Sequence, residues 1–276
     1  MDVTKRPDNY ALGRTERETR RLILQHQIYG PVTRRFFEAA GIGAGMKVLD
    51  VGSGAGDVAL LLADLVGPRG RVVGVDMNPE ILETARARAD AAGWRNVSFV
   101  AGDALQLDLD RDFDVVAGRW VLMHVPDPVA LLRHLVTRLR SGGIAAFHEN
   151  DFTYPPTVLP PTELSAQIQR WSIHPCEAPG AEMRMGTKLL RTYVAAGLPE
   201  PQFLVEAPAG GGADWPGYEY VADTLRSLMP MLQQRAGVDP DEVQVDTLAS
   251  RLREDVARVQ GIHILPIMFG AWSRRG

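Results

Sequence analysis

The sequence predicts an α/β fold: a mostly parallel sheet wound on both faces by helices. Three observations predict it. Short apolar runs of strand length alternate with helical stretches from about residue 46 to residue 150. The first run, Val48-Leu49-Asp50-Val51, passes straight into glycines at 52, 54 and 56 and then into the helical stretch Val58–Ala63. Each of the next two runs ends in an acid, Asp76 and Asp103. Glycine has no Cβ, so a strand-to-helix turn of this kind brings backbone N–H groups and a helix N-terminus against a ligand.

The elements follow in order. Residues 15–29 read as a helix with Thr15 as N-cap and Glu18 three residues on, a capping box; Gly30-Pro31 should break it, and a second helix should run to about Ala40. Arg71–Asp76 reads as a buried strand whose terminal carboxylate can take both hydroxyls of a ribose. Met77 is placed to lie on an adenine face, and Asn78-Pro79 opens a helix as N-cap and first residue. Asn96–Ala104 supplies a third strand and Phe113–Gly118 a fourth; Ser141-Gly142-Gly143 turns into a fifth through Phe147. Beyond Asn150 the texture changes to Tyr154-Pro155-Pro156 and Pro160-Pro161. Helices are expected over about 162–173, 186–196, 217–235 and 241–259, with strands over 201–206 and 263–272; the Gly/Pro-rich segment 208–216 reads as a mobile loop. The expected organisation is an N-terminal helical lid over 1–41, a ligand-binding core over 42–150, and cap helices plus closing strands over 151–276.

The ordered set Asp50…Gly52-Ser53-Gly54-Ala55-Gly56, Asp76, Asp103-Ala104 and Ser141-Gly142-Gly143 resembles the class I S-adenosylmethionine (SAM) methyltransferases. A dinucleotide-binding fingerprint needs a third glycine where this chain has Asp57. The resemblance implies a doubly wound, Rossmann-like sheet of seven strands, the last antiparallel. It implies cofactor contacts from Asp50, Gly52, Ser53, Gly54, Gly56, Asp76, Met77, Asp103 and Ala104, with Asp103 on the adenine amino group. Tyr10-Ala11-Leu12-Gly13 and the helix after it resemble the opening of bacterial members in which a tyrosine and a helix close over the cofactor, which adds Tyr10. Arg119 is read either as the partner of the methionyl carboxylate or as a surface ion pair. The product would be S-adenosyl-L-homocysteine.

Composition narrows the partners. The 276 residues carry a net charge of −4, and the basic residues form no tract, which argues against a nucleic-acid acceptor. No apolar run approaches the roughly 20 residues of a membrane span. The single Cys176 and the absence of a signal-peptide pattern lead to the expectation of a cytoplasmic protein. The apolar stripe of the first helix is compatible with a homodimer or larger homo-oligomer.

Methyl transfer asks for alignment and desolvation, plus a base when the nucleophile carries a proton. His124, after the fourth strand, is either that base or a locally packed turn residue, and Asp127 in the following Val125-Pro126-Asp127-Pro128 is expected to cap the next helix. Glu149, at the end of the fifth, either grips the acceptor or is a salt-bridged strand end; His148 should point to the opposite face. Leu22, Gln25, His26 and Tyr29 share one helix face, which lines the pocket or packs on the core. The candidate catalytic groups are therefore His26, Tyr29, His124 and Glu149. No metal is expected: the fourth strand ends in Gly118-Arg119-Trp120 without an acid, and His174-Pro175-Cys176 has no further ligand at metal spacing. Many aromatic and methionine residues with few fixed charges follow the core, so the acceptor should be a small, largely apolar or aromatic molecule. In texture the chain is similar to bacterial secondary-metabolite methyltransferases, with carbon methylation of an indole as one outcome and O- or N-methylation as another. A SAM-binding cyclase on the same fold would carry the same motif.

Overall fold

The computed structural model describes residues 16–173 and 181–276, with side chains from Leu24 onward. It divides into two units. The larger comprises Tyr29–Tyr154, Ala181–Pro208 and Pro266–Gly276; the described parts of the smaller are 16–28, 155–173 and 209–265. Helix α1 (Glu16–Ala39) contributes residues to both.

In the larger unit the chain continues through β1 (Lys47–Val51), α2 (Asp57–Val66), β2 (Arg71–Asp76), α3 (Pro79–Ala91), β3 (Val97–Ala101), β4 (Phe113–Arg119), α4 (Pro128–Val136) and β5 (Leu139–Asn150). The smaller unit supplies β6 (Thr157–Leu159) and α5 (Glu163–Ile173), and the larger resumes with α6 (Met185–Ala195) and β7 (Gln202–Glu206). The smaller unit then adds β8 (Ala209–Gly210), α7 (Gly217–Ala236), α8 (Pro240–Val243), α9 (Val245–Arg258) and β9 (Ile262–Ile264), and β10 (Met268–Arg274) closes the larger. The larger unit holds a seven-stranded sheet in the order β3-β2-β1-β4-β5-β10-β7. Strands β1 to β5 pair in parallel, and β10 runs antiparallel to both β5 and β7. This is the expected doubly wound sheet, and the strand order reverses at β1.

Strands β1, β2 and β4 are buried along nearly their whole length, as parallel strands covered on both faces must be. Alternate residues feed two cores. Val48, Val72, Val115 and Ile144 pack with Phe36, Phe37, Leu62 and Leu82 on one face. Leu49, Val73, Val116 and Phe147 pack with Leu132, Leu189 and Tyr193 on the other. The Tyr193 hydroxyl donates to the Ala271 carbonyl at 2.6 Å and accepts from the Phe147 amide at 3.1 Å, so α6 is tied to both β5 and β10. Two expected caps are present: Asn78 accepts from the Glu80 amide and Asp127 from the Ala130 amide.

Three local expectations change. Gly30-Pro31 does not end the first helix, and α1 continues through Pro31. A proline inside a helix costs about 3 kcal/mol, but each fully buried large side chain returns about 1.5–3 kcal/mol, and Phe36 and Phe37 are wholly buried beyond the proline. The final strand is two strands, β9 and β10, split at Leu265-Pro266-Ile267 because proline cannot continue the hydrogen-bond ladder. The segment 208–216 contains β8, which pairs with β9; with β6 they form a three-stranded antiparallel sheet in the smaller unit. In that unit His263 is buried, accepts the Trp215 indole N–H at 3.1 Å and stacks on Tyr218; burial lowers its pKa to about 4.

Candidate active site

The C-terminal ends of β1, β2, β3 and β4 gather the predicted cofactor residues at the switch in strand order. The loop after β1 runs with left-handed backbone at Gly52 (φ +67°), Gly54 (φ +51°) and Gly56 (φ +87°), a path that side-chain-bearing residues rarely take. The three glycines differ in what surrounds them. A Cβ on Gly52 would lie 2.9 Å from Val121 Cγ2, and one on Gly56 3.1 Å from Ala85 Cβ. A Cβ on Gly54 would meet no atom of the described residues within 4 Å. The outer two are there for packing, whereas the middle one faces open space.

The loop is tied to its neighbours by the acids at the strand tips. Asp76 Oδ2 accepts the Gly54 N–H and its Oδ1 the Asn78 N–H, both at 2.9 Å. The Ser53 N–H donates to the Val75 carbonyl at 3.0 Å, and the Gly102 N–H to the Asp76 carbonyl at 2.9 Å. Asp103 braces its own turn, accepting from the Leu105 amide at 2.9 Å and the Gln106 side chain at 3.2 Å; Ala104 beside it is buried. Met77 stands 66% exposed beside Asp76, a large apolar side chain left in the open at the strand tip. Each carboxylate oxygen keeps a lone pair for a ligand hydroxyl or amino group.

Beneath this loop lies a buried charged cluster. Asp50 is fully buried, and burial pushes its carboxyl well above the usual range; the positive charge of Arg119 opposes that shift, and Asp76 and Asp57 add to it. Asp57 Oδ1 pairs with Arg88 at 2.7 Å, and its Oδ2 lies 4.0 Å from Arg119. Arg119 is not a surface ion pair: its side chain is 3% exposed, its Nη1 donates to Thr33 Oγ1 at 3.2 Å, and its guanidinium stands 4.8 Å from the Trp120 ring. The Thr33 hydroxyl donates to the Tyr29 carbonyl at 2.8 Å and lies 3.3 Å from His148 Nδ1. His148 stacks on Phe36, and burial holds its pKa well below the usual range, with the Arg119 charge adding to the effect. Thr33 and Arg88 were absent from the expected site, whereas Trp120 was expected on its acceptor side. The signals of Thr33 and Arg88 in the sequence are only a hydroxyl four residues after Tyr29 and an arginine on α3.

Of the candidate catalytic groups, three fall in the larger unit. Tyr29 is wholly buried, its ring edge-on to Trp120 with centroids 5.0 Å apart. His124 ends a short 3₁₀ turn (Leu122–His124) and is exposed. Glu149 is fully buried and makes no salt bridge among the described residues; its Oε1 accepts the amides of Val121 at 3.0 Å and Leu122 at 2.9 Å. His148 and Glu149 do meet different partners, as strand alternation requires. His26, half-buried, belongs to the smaller unit. Tyr10, Thr15 and His174-Pro175-Cys176 lie outside the described residues. Among the described residues no group of three or more His, Cys, Asp or Glu side chains is placed to hold a metal ion. No helix among them is long and apolar enough to cross a membrane.

Burial raises the pKa of Glu149 from 4.5 to about 8, opposed by hydrogen bonds from the Leu122 and Val121 amides. Between those values the folded chain holds a proton that the unfolded chain has released. Stability therefore falls as pH rises through this window. The isosteric Glu149→Gln has no such proton. The unfolding free energy of Glu149→Gln relative to wild type should thus rise from pH 4.5 to pH 8, measured by denaturant titration at several pH values. A flat difference would mean that the carboxyl ionises normally.

A glycine loop opening at Gly54, acids on the tips of β1, β2 and β3, and a seven-stranded sheet with β10 antiparallel define a class I SAM-dependent α/β protein. The chain belongs to the methyltransferase-domain family, whose model matches residues 42–187, just over half of it. Demethylmenaquinone methyltransferase of Staphylococcus aureus is 35% identical over 121 residues, covering 44% of this chain and 48% of that protein. The chain thus spans about half the length of the curated relatives it matches. Among solved structures, YcgJ of Bacillus subtilis aligns over 91% of this chain and 98% of its own with a TM-score of 0.56 and 20% identity. The cyclase SpnF aligns over 89% and 80% with a TM-score of 0.55 and 20% identity. At these identities the two structures speak for the fold alone.

Proposed function

We propose that this protein transfers the methyl group of SAM by in-line displacement to a small, largely apolar, planar aromatic acceptor, with carbon methylation of an indole-type ring as the favoured reaction. The observation that carries the reading is the left-handed glycine loop, open at Gly54 and tied to the Asp76 carboxylate. The cradle fits the cofactor. Gly52–Gly56 would take its methionyl part, Asp76 the ribose hydroxyls, Met77 and Asp103–Ala104 the adenine, and Asp50 with Arg119 the charged amino-acid end.

When bound, the cofactor supplies a methyl group made electrophilic by its sulfonium. The protein contributes position and dryness. Orientation of this kind is worth roughly 7–11 kcal/mol of barrier. The residues of the site would hold the acceptor carbon in line with that methyl group, and the exposed His124 imidazole would take the proton that the acceptor gives up. Half-buried Trp120 on the larger unit offers an aromatic face to such an acceptor, with the wholly buried Tyr29 ring packed edge-on behind it, and His124 is the exposed imidazole beside the same turn. The demethylmenaquinone methyltransferase relative supports a small ring acceptor over a macromolecule.

The test is calorimetric titration with S-adenosylhomocysteine, with NAD as the control. Micromolar or tighter product binding and no NAD signal are expected. Aromatic acceptors, indoles first, are then screened by the mass gain of one methyl group. NAD binding without product binding would overturn the reading. Product binding with conversion of an acceptor but no mass gain would move it to a non-methylating reaction.

A further inference from the structure

We propose that Glu149 is a positioning residue for the cofactor cradle: its carboxyl clamps the turn after β4, and that turn props the glycine loop. This rests on the SAM reading above.

Three consecutive amides leave the end of β4, and all three bond to the end of β5. The Trp120 N–H donates to the His148 carbonyl at 3.0 Å, and the Val121 and Leu122 N–H groups both donate to Glu149 Oε1. The last two would otherwise be orphan donors at the start of the 3₁₀ turn. Trp120 needs such a grip. Its φ of +57° is left-handed, a conformation that a residue with a bulky side chain holds only where the surroundings enforce it.

Val121 transmits the grip. Gly52, in the cradle, and Gly118, in β4, each lack the Cβ that would sit 2.9 Å from Val121 Cγ2. The two glycines thus leave a slot, and the Val121 side chain fills it, 8% exposed. Where Val121 sits decides whether Gly52 is supported from below. Glu149 has no exposed atom with which to meet an acceptor, and its Oε2 makes no hydrogen bond to the described residues. A pKa pushed up to about 8 leaves it protonated at neutral pH, which suits a clamp better than a general base.

The experiment compares Glu149→Gln, Glu149→Ala and Val121→Ala. It reads S-adenosylhomocysteine affinity by calorimetry and amide hydrogen exchange of the Asp50–Val58 segment by mass spectrometry. Glutamine keeps an oxygen for both amides, so affinity within threefold of wild type and unchanged loop exchange are expected. Alanine at 149 should weaken product binding roughly tenfold and speed exchange of Gly52–Gly56, while the peptide over β3 exchanges as before. Val121→Ala should weaken binding severalfold with Glu149 in place. Two results would overturn the proposal: Glu149→Gln as damaging as Glu149→Ala, or unchanged affinity in Val121→Ala. The second also decides the matter if Glu149→Ala fails to fold. Wild type that binds no product would instead be a failure of the SAM reading itself.

Discussion

Replacing Gly54 by Asp will leave the protein folded and abolish measurable binding of S-adenosylhomocysteine. The fold tolerates the change because a Cβ at this position meets nothing among the described residues within 4 Å. The remaining cost is the left-handed φ of +51°, about 1–2 kcal/mol, and Asp accepts that conformation better than most residues. The ligand has no such latitude. The new carboxylate would occupy the opening above the loop and bring a negative charge next to Asp76, whose Oδ2 already accepts the Gly54 N–H. A loss of roughly 100-fold or more, about 2.7 kcal/mol, is expected by calorimetry, with a melting temperature close to that of wild type. Gly54→Asn, similar in size but uncharged, separates bulk from charge. A Gly54→Asp protein that kept its affinity within threefold would remove this loop from the cofactor site.

Replacing Arg119 by Met should destabilise the larger unit by about 3 kcal/mol in denaturant unfolding. Removing one partner of a buried pair costs roughly 3–5 kcal/mol, since the other charge remains buried. The side chain is 3% exposed, so solvent screens it little. The lower end applies because Asp57 keeps Arg88 at 2.7 Å, and Asp50 can take up a proton once the opposing guanidinium is gone. Thr33 also loses the donor at 3.2 Å. Arg119→Lys keeps the charge without the planar fork and should fall between Met and wild type. A loss under 1 kcal/mol for Met would mean that the cluster relaxes without it.

The legible features were those written within a few consecutive residues. Gly52, Gly54 and Gly56 mark a turn that only left-handed backbone can make, and that conformation is present at all three. Asp76 closes a strand five residues long or more, and such a strand ends at the ligand-binding edge of a parallel sheet whatever packs on it. Asn78-Pro79 and Asp127-Pro128 announced their helices by capping chemistry alone. Where a local signal met a larger burial term, it lost. Pro31 is a sound helix breaker in isolation, and Phe36 and Phe37 draw α1 straight through it.

The backbone path of the cradle, the alternation of strand and helix and the acids at the strand tips were determined within the sequence, because glycine freedom, apolar periodicity and capping act over a few residues. Tertiary structure alone decided what surrounds them. Arg119 meets Thr33 across 86 positions, His148 meets Thr33 across 115, and Glu149 reaches back 28 to the Val121 amide. The same partners decide that Arg119 is a buried charge, that Trp120 can hold a left-handed turn, and that Glu149 keeps its proton. Desolvation and hydrogen bonding set these properties, and both depend on which distant segments the folded chain brings together.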